Sequence, residues 1–346
     1  MRNRICIVTL GLLLSQITFQ QATAKEGVLR AGIVGCDTSH VEAFTKLIND
    51  PQATGPFADV EVVAAFPGGS PDIPKESSER VPGYVKKLKE KGIKIVDSLD
   101  ELADQCDVFM VESVDGRPHL KQFRAVAKGK PVFVDKPAAA SLADVLAIYR
   151  VADETHTPVY TSSSLRFGSE IQAAAKAAAT KDKSFGDLLG CETQSPMSTE
   201  SHHPDLFWYG IHGVEPLYTI MGTGCVSVSR TDSPLSTVVV GKWKDGRLGS
   251  YRGLKKGYYY SFTAFGTKKV IQGAKYEGYE PAVEAMCEFF KTGKPPVPRE
   301  ESIEIYAYME AADASKKAGG KPVLIADILA QAQKKSAEAS ASAGGK

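Results

Sequence analysis

The chain is poor in the residues that announce a simple chemistry. Among 346 residues there are two tryptophans, six histidines and six cysteines, with no Cys-x-x-Cys pair, so a cysteine-based zinc site is not expected. No apolar run approaches the roughly 20 residues that a bilayer span takes. Charge of one sign is missing too: 42 Lys and Arg stand against 41 Asp and Glu, with no basic stretch. A nucleic-acid partner, whose phosphates need clustered Lys and Arg, is therefore not expected. What is present is 43% hydrophobic and 24% charged residues, which excludes disorder, collagen and a small disulfide scaffold. The length allows two packed cores.

The longest apolar run, Ile5 to Leu14, follows the basic start Met1 to Arg4 and precedes the small residues Ala22-Thr23-Ala24. That order predicts a secretory signal over residues 1–24, cleaved after Ala24, and a periplasmic or extracellular protein. The alternative is a retained N-terminal helix. Without Arg2 and Arg4 the balance becomes 40 against 41, a net charge of −1. Cys36, Cys106, Cys191, Cys225 and Cys287 remain. They read as small core residues, with one disulfide between unnamed partners left open.

From Val28 to about Ser163 short β-rich runs alternate with helical stretches. Strands are expected at Val28–Val34, Val60–Phe66, Ile93–Val96, Val108–Val114, Pro131–Val134 and Val159–Ser162. Helices are expected to start at Ser98, with Glu101 three residues on, and at Ser141, with Asp144 and an apolar face of Leu142, Val145, Ile148, Tyr149 and Ala152. Such alternation implies an α/β, doubly wound parallel sheet whose ligands bind beyond the carboxyl ends of the strands. After Ser163 a helix over about Glu170 to Lys181 and glycine-punctuated β runs predict an α+β domain with a large, mostly antiparallel sheet. Two helices close it, one carrying Val283, Met286, Phe289 and Phe290. The expected division is 25–160, 161–331 and a disordered tail over 332–346.

Three places carry candidate chemistry. The first strand runs into Gly35-Cys36-Asp37-Thr38-Ser39-His40, the strand–turn–helix place where a pyrophosphate meets free amides. Dinucleotide spacing puts glycines at 35, 37 and 40, where this chain has Gly35, Asp37 and His40; Asp37, Thr38 and Ser39 also read simply as a helix cap. No acid follows the second strand to hold an adenosine ribose. Phe66-Pro67-Gly68-Gly69-Ser70 reads either as room for the 2′-phosphate of NADP or as a tight turn. At the end of the fifth strand, Asp135-Lys136-Pro137 aims a lysine into the crevice, where it can donate to a substrate hydroxyl. Between His202 and Glu215 lie three histidines. On a helix His212 and Glu215 share a face, so the carboxylate would orient the imidazole for proton transfer. A metal held by His203, Asp205 and His212 matches no ligand spacing closely, so none is expected; histidines satisfying buried hydrogen bonds remain the plain alternative.

Together these residues resemble the Gfo/Idh/MocA family of oxidoreductases, over about Val28 to Ile325. Asp135-Lys136-Pro137 resembles its Glu-Lys-Pro motif, Leu165-Arg166-Phe167 its Arg-Phe segment, Gly210-x-His212-x-x-Glu215 its Gly-x-His-x-x-Asp motif, and Gly319 to Val323 its closing segment. The resemblance implies an N-terminal Rossmann domain, a C-terminal sheet forming a substrate wall and a homo-oligomer contact, and bound NAD or NADP. It also implies oxidation of a secondary hydroxyl on a sugar or cyclitol. Lys136 would contact that hydroxyl, and His212, with Glu215, would manage its proton. Gly35, Asp37, Thr38, Ser39, His40, Pro67, Asp115, His119, Asp135 and Lys136 would surround the cofactor. Arg166, His203, Asp205, Trp208 and His212 would meet the substrate. Trp208 departs from the pattern, standing where many relatives have aspartate. Two rival functions remain open: redox-neutral cleavage of a glycoside by a bound dinucleotide, and carbohydrate binding without one.

Overall fold

The structure is a computed structural model that describes residues 27–344; the leader read in residues 1–24 lies outside them. The first half alternates β1 (Leu29–Val34), α1 (Ser39–Ile48), β2 (Val60–Phe66), α2 (Val81–Glu90), β3 (Lys94–Ile95), α3 (Leu99–Gln105), β4 (Val108–Val111), α4 (His119–Val126), β5 (Val132–Asp135), α5 (Leu142–Glu154) and β6 (Val159–Ser162). All strand pairs are parallel, in the order β3-β2-β1-β4-β5-β6. Every residue of β4, β5 and β6 is buried, because helices cover both faces of the sheet. The two expected helix starts are real: the Ser98 and Ser141 hydroxyls accept from the Glu101 and Asp144 amides, each at 3.1 Å. The strand expected to reach Val114 stops at Val111, because the amide of Val114 turns out of the sheet to the Asp37 carboxylate at 2.9 Å.

The order reverses between β1 and β4, and that point opens the ligand crevice. Gly35 makes the turn there with φ +93°. A Cβ at Gly35 would stand 2.3 Å from Ser113 Oγ and 2.6 Å from the Ser113 amide nitrogen, so only glycine lets the strand ends meet.

The second half consists of α6 (Ser169–Ala179), β7 (Leu188–Pro196), α7 (Ile211–Met221), β8 (Cys225–Asp232), β9 (Ser236–Trp243), β10 (Leu248–Leu254), β11 (Ser261–Gly266), β12 (Val270–Gly273), α8 (Glu280–Thr292), α9 (Arg299–Lys317), β13 (Val323–Leu324) and α10 (Ile325–Gly344). Its sheet runs β12-β11-β7-β10-β9-β8-β13, antiparallel except for β7 beside β10. The helix α7 lies against one face so closely that a Cβ on Gly213 would stand 2.3 Å from the Tyr251 ring. The other face is an open trough of about 500 Å³, floored by Glu192, Gln194 and Arg252 and flanked by Leu189 and Leu248, each 55% exposed.

Two expectations need correction. The described part of the polar tail is helical: α10 continues to Gly344, and Arg150 on α5 donates to Ser336 Oγ at 2.8 Å. The apolar face of α8 does not close the second core; Met286, Phe289 and Phe290 pack with Phe133 and Tyr160 of the first. All five described cysteines are buried and free. Among the described residues no helix is long and apolar enough to cross a membrane.

Candidate active site

Lys136 follows β5 directly, so its side chain leaves the sheet at the mouth of the crevice, and α7 delivers His212 to the same place from the other half. Both line a cavity of about 340 Å³ together with Thr38, Ser39, His40 and Arg80 from the first half and Trp208, Tyr209, Tyr258, Tyr260, Tyr276 and Tyr279 from the second. The Lys136 ammonium stands 5.9 Å over the Tyr209 ring, and that ring meets the His212 imidazole edge-on at 4.8 Å. Burial lowers the Lys136 pKa, with Asp135 opposing. Burial, followed by the charge of Lys136, holds the His212 pKa well below its ordinary value, so the imidazole is neutral.

The partner of His212 is not the one its helix spacing suggests. Ser163 Oγ lies 2.7 Å from His212 Nδ1, whereas Glu215 turns away and accepts from Arg166 Nη1 at 3.0 Å. Arg166 also pairs with Glu301. Burial raises the Glu215 pKa to about 7 against the pull of Arg166. Arg166 is 5% exposed and occupied by two carboxylates, so the roles read for it in substrate binding and for Glu215 in catalysis give way to a buried ion cluster beneath the site. Sharing a helix face was not sufficient, because Arg166 competes for the carboxylate with a full charge.

At the glycine turn, Asp37 is fully buried and faces inward: one oxygen accepts from the Val114 amide and the other from Ser77 Oγ at 2.6 Å. Its charge is thus kept off the cleft. Thr38 supplies the cap of α1, its hydroxyl accepting from the His40 amide at 3.4 Å. Ser39 and His40 face the cavity from the first turn, and the His40 ring stacks on Phe44 at 4.9 Å. Its Nδ1 lies 2.5 Å from Asp135 Oδ2, and Asp135 Oδ1 accepts from the Lys136 amide at 2.7 Å. Pro67 gives its carbonyl to the Cys36 amide at 2.7 Å. Gly68 and Gly69 take φ +63° and +107°, and Ser70 donates to Asp115 Oδ2 at 2.6 Å. The segment forms a tight turn, with the Ser70 hydroxyl committed to protein.

Other residues read as binding groups serve the frame. Asp115 holds Ser70 and Arg117, and these bonds with His203 keep it ionised despite burial. His119 is fully buried between the Ser113 and Ala138 carbonyls. His203 is wedged between Glu200, 2.7 Å from Nδ1, and Asp115, 3.1 Å from Nε2. Asp205 accepts from Arg230 and Lys316. None of these four lines the cavity, whereas Trp208 does, packed on the His203 ring. Among the described residues no group of three or more His, Cys, Asp and Glu is arranged to hold a metal ion. The sequence reading missed the tyrosines; their only advance signal was the run Tyr258-Tyr259-Tyr260 beside Tyr276 and Tyr279. Tyr209 shares its hydroxyl with Tyr258 at 2.6 Å and Tyr260 at 3.2 Å.

A dinucleotide suits these residues. The turned-in Asp37 leaves the start of α1 electropositive, Arg80 and Lys136 add positive charge without a salt bridge to any described residue, and the crevice lies at the switch point of the sheet.

Residues 29–163 match the model of an oxidoreductase family with an NAD-binding Rossmann fold. No protein of curated function matches by sequence. Among solved structures, a probable dehydrogenase from Thermotoga maritima is 19% identical, with a TM-score of 0.71 over 87% of this chain and 100% of its own. GenD2 from gentamicin A biosynthesis, in complex with NAD, is 16% identical, with a TM-score of 0.70 over 91% and 99%. The myo-inositol dehydrogenase of Lactobacillus casei, in complex with NAD(H) and myo-inositol, is 16% identical, with a TM-score of 0.69 over 86% and 96%. At these identities the likeness shows the fold. The match to the Gfo/Idh/MocA oxidoreductase family model over residues 29–163 and the order of the parallel sheet agree on an NAD-binding Rossmann fold.

Proposed function

We propose that the chain is an NAD(P)-dependent oxidoreductase that oxidises a secondary hydroxyl of a sugar, cyclitol or related polyol. The observation that carries this reading is the convergence of Lys136 and a neutral His212 on one cavity walled by tyrosines. When bound, the dinucleotide supplies the hydride acceptor. Lys136 donates to the reacting oxygen and favours its anionic form. His212 takes the hydroxyl proton at Nε2 while Ser163 holds Nδ1. The tyrosine rings and hydroxyls suit a ring that is apolar on its C–H faces and polar at its rim. The C-terminal sheet, with its exposed Leu189 and Leu248, is offered as the contact with a second copy, and the leader as the signal for export.

The test is NADH or NADPH formation by the purified mature protein across a panel of cyclitols, aldoses and uronic acids. Lys136→Ala and His212→Ala should each lower kcat/KM by ~10²–10⁴. Absence of turnover and of dinucleotide binding would overturn the reading. Release of free sugar from a glycoside without net NADH would replace it with the redox-neutral reaction.

A further inference from the structure

Two of the three glycines that let a Rossmann turn approach pyrophosphate are absent, and the segment after β2 packs beside their positions. Ser77 donates to Asp37 at 2.6 Å and to nothing farther out, so it pins residues 70–80 against the start of α1. Three residues on, the Arg80 amide closes the turn onto the Ser77 carbonyl at 2.8 Å. Arg80 thereby reaches the cavity that Thr38, Ser39 and His40 line. Its guanidinium is braced by the Glu76 carbonyl at 3.0 Å and the Tyr84 hydroxyl at 3.3 Å, and lies 5.7 Å over the Tyr84 ring. None of these is an anion, and the guanidinium enters no salt bridge with a described residue. Glu76 lines the same cavity but meets Arg80 only through its backbone.

His40, in the position of the third glycine, is 8% exposed. Asp135 engages its Nδ1 at 2.5 Å, while Nε2 meets no partner among the described residues and His40 lines the cavity. A buried imidazole held by a carboxylate at one nitrogen presents the other to a ligand.

We infer that Arg80 and His40, with the first amides of α1, form a clamp for a pyrophosphate group that replaces the contacts of the two missing glycines. The inference rests on the proposal that the cleft holds a dinucleotide. A glycine turn binds phosphate with backbone alone. Here the backbone approach at residue 37 is filled by Asp37 and Ser77, and the charge needed comes from an arginine that the segment after β2 carries.

The test is titration calorimetry of NAD⁺, NADP⁺ and inorganic pyrophosphate against the parent and the variants Arg80→Ala, Arg80→Lys and His40→Gln, with thermal melts to confirm folding. Arg80→Ala should weaken NAD⁺ binding 10–100-fold. Arg80→Lys should fall between parent and alanine, because charge is kept and the planar fork lost. His40→Gln should weaken binding several-fold. Inorganic pyrophosphate should displace NAD⁺ from the parent. Folded variants that bind NAD⁺ as tightly as the parent overturn the clamp and leave the dinucleotide reading standing. A parent that ignores both dinucleotides yet holds pyrophosphate through Arg80 supports the clamp and overturns the reading beneath it; a parent that binds none of the three overturns both.

Discussion

Ser163 Oγ lies 2.7 Å from His212 Nδ1 and also accepts the Leu165 amide at 3.3 Å. A hydroxyl can donate to Nδ1 or accept from it, so His212 can present either a lone pair or an N–H at Nε2. A carboxylate in that place would fix one tautomer and stabilise the imidazolium.

Ser163→Ala should therefore lower kcat about tenfold, a fraction of the full acid–base contribution, with KM changed little. The measurement is steady-state kinetics across pH, and Ser163→Thr should restore most of the loss.

Replacing Lys136 should change the titration of His212. Burial and the lysine charge lower its pKa, so Lys136→Met should raise it toward the ordinary histidine value. Imidazole resonances followed by NMR in the two proteins give the comparison. Because the folded pKa lies below the unfolded one, the stability from keeping this imidazole neutral is complete above about pH 6.5 and is lost as pH falls.

Glu112, just after β4, is fully buried, and neither carboxylate oxygen has a hydrogen-bond partner. Burial, then the charges of Asp135 and Asp37, raises its pKa well above the ordinary carboxylate range. The unfolded chain releases this proton near pH 4.5, so above that pH this group costs the folded state about 1.4 kcal/mol per pH unit, up to its folded pKa. Glu112→Leu should remove that slope and be more stable at pH 7 than the parent, as read from urea melts at pH 5, 7 and 8.

Breaking the Arg166 cluster should be severe. Arg166→Ala leaves Glu215 buried without its cation, at a cost of about 3–5 kcal/mol. The pair Arg166→Met with Glu215→Leu should recover much of it, and a double-mutant cycle in denaturant measures the difference.

Gly35→Ala should leave the N-terminal domain unfolded or severely unstable, since φ is +93° and the new Cβ would stand 2.3 Å from Ser113 Oγ. Soluble yield and a melting curve suffice to check it.

Much of the frame was legible because its signals are local. The alternation of β-rich and helical runs, the Ser98 and Ser141 caps and the lysine after β5 each depend on neighbours a few residues away. The tail misled for the same reason: its Lys, Ser, Ala and Gly composition resembles a disordered segment, whereas α10 is held by contacts such as Arg150 with Ser336, 186 residues apart.

By itself, the sequence determined the strand–helix alternation, the position of Lys136 at a strand end and His212 as a candidate base, since periodicity and turn chemistry are written within short windows. Tertiary structure alone decided which groups face the cleft. Glu215 went to Arg166, 49 residues away, and Asp37 to Ser77, 40 residues away, leaving Ser163 beside His212 and the tyrosines around Lys136. A buried charge takes the partner that best offsets its desolvation, and only the packed fold determines which partners are within reach.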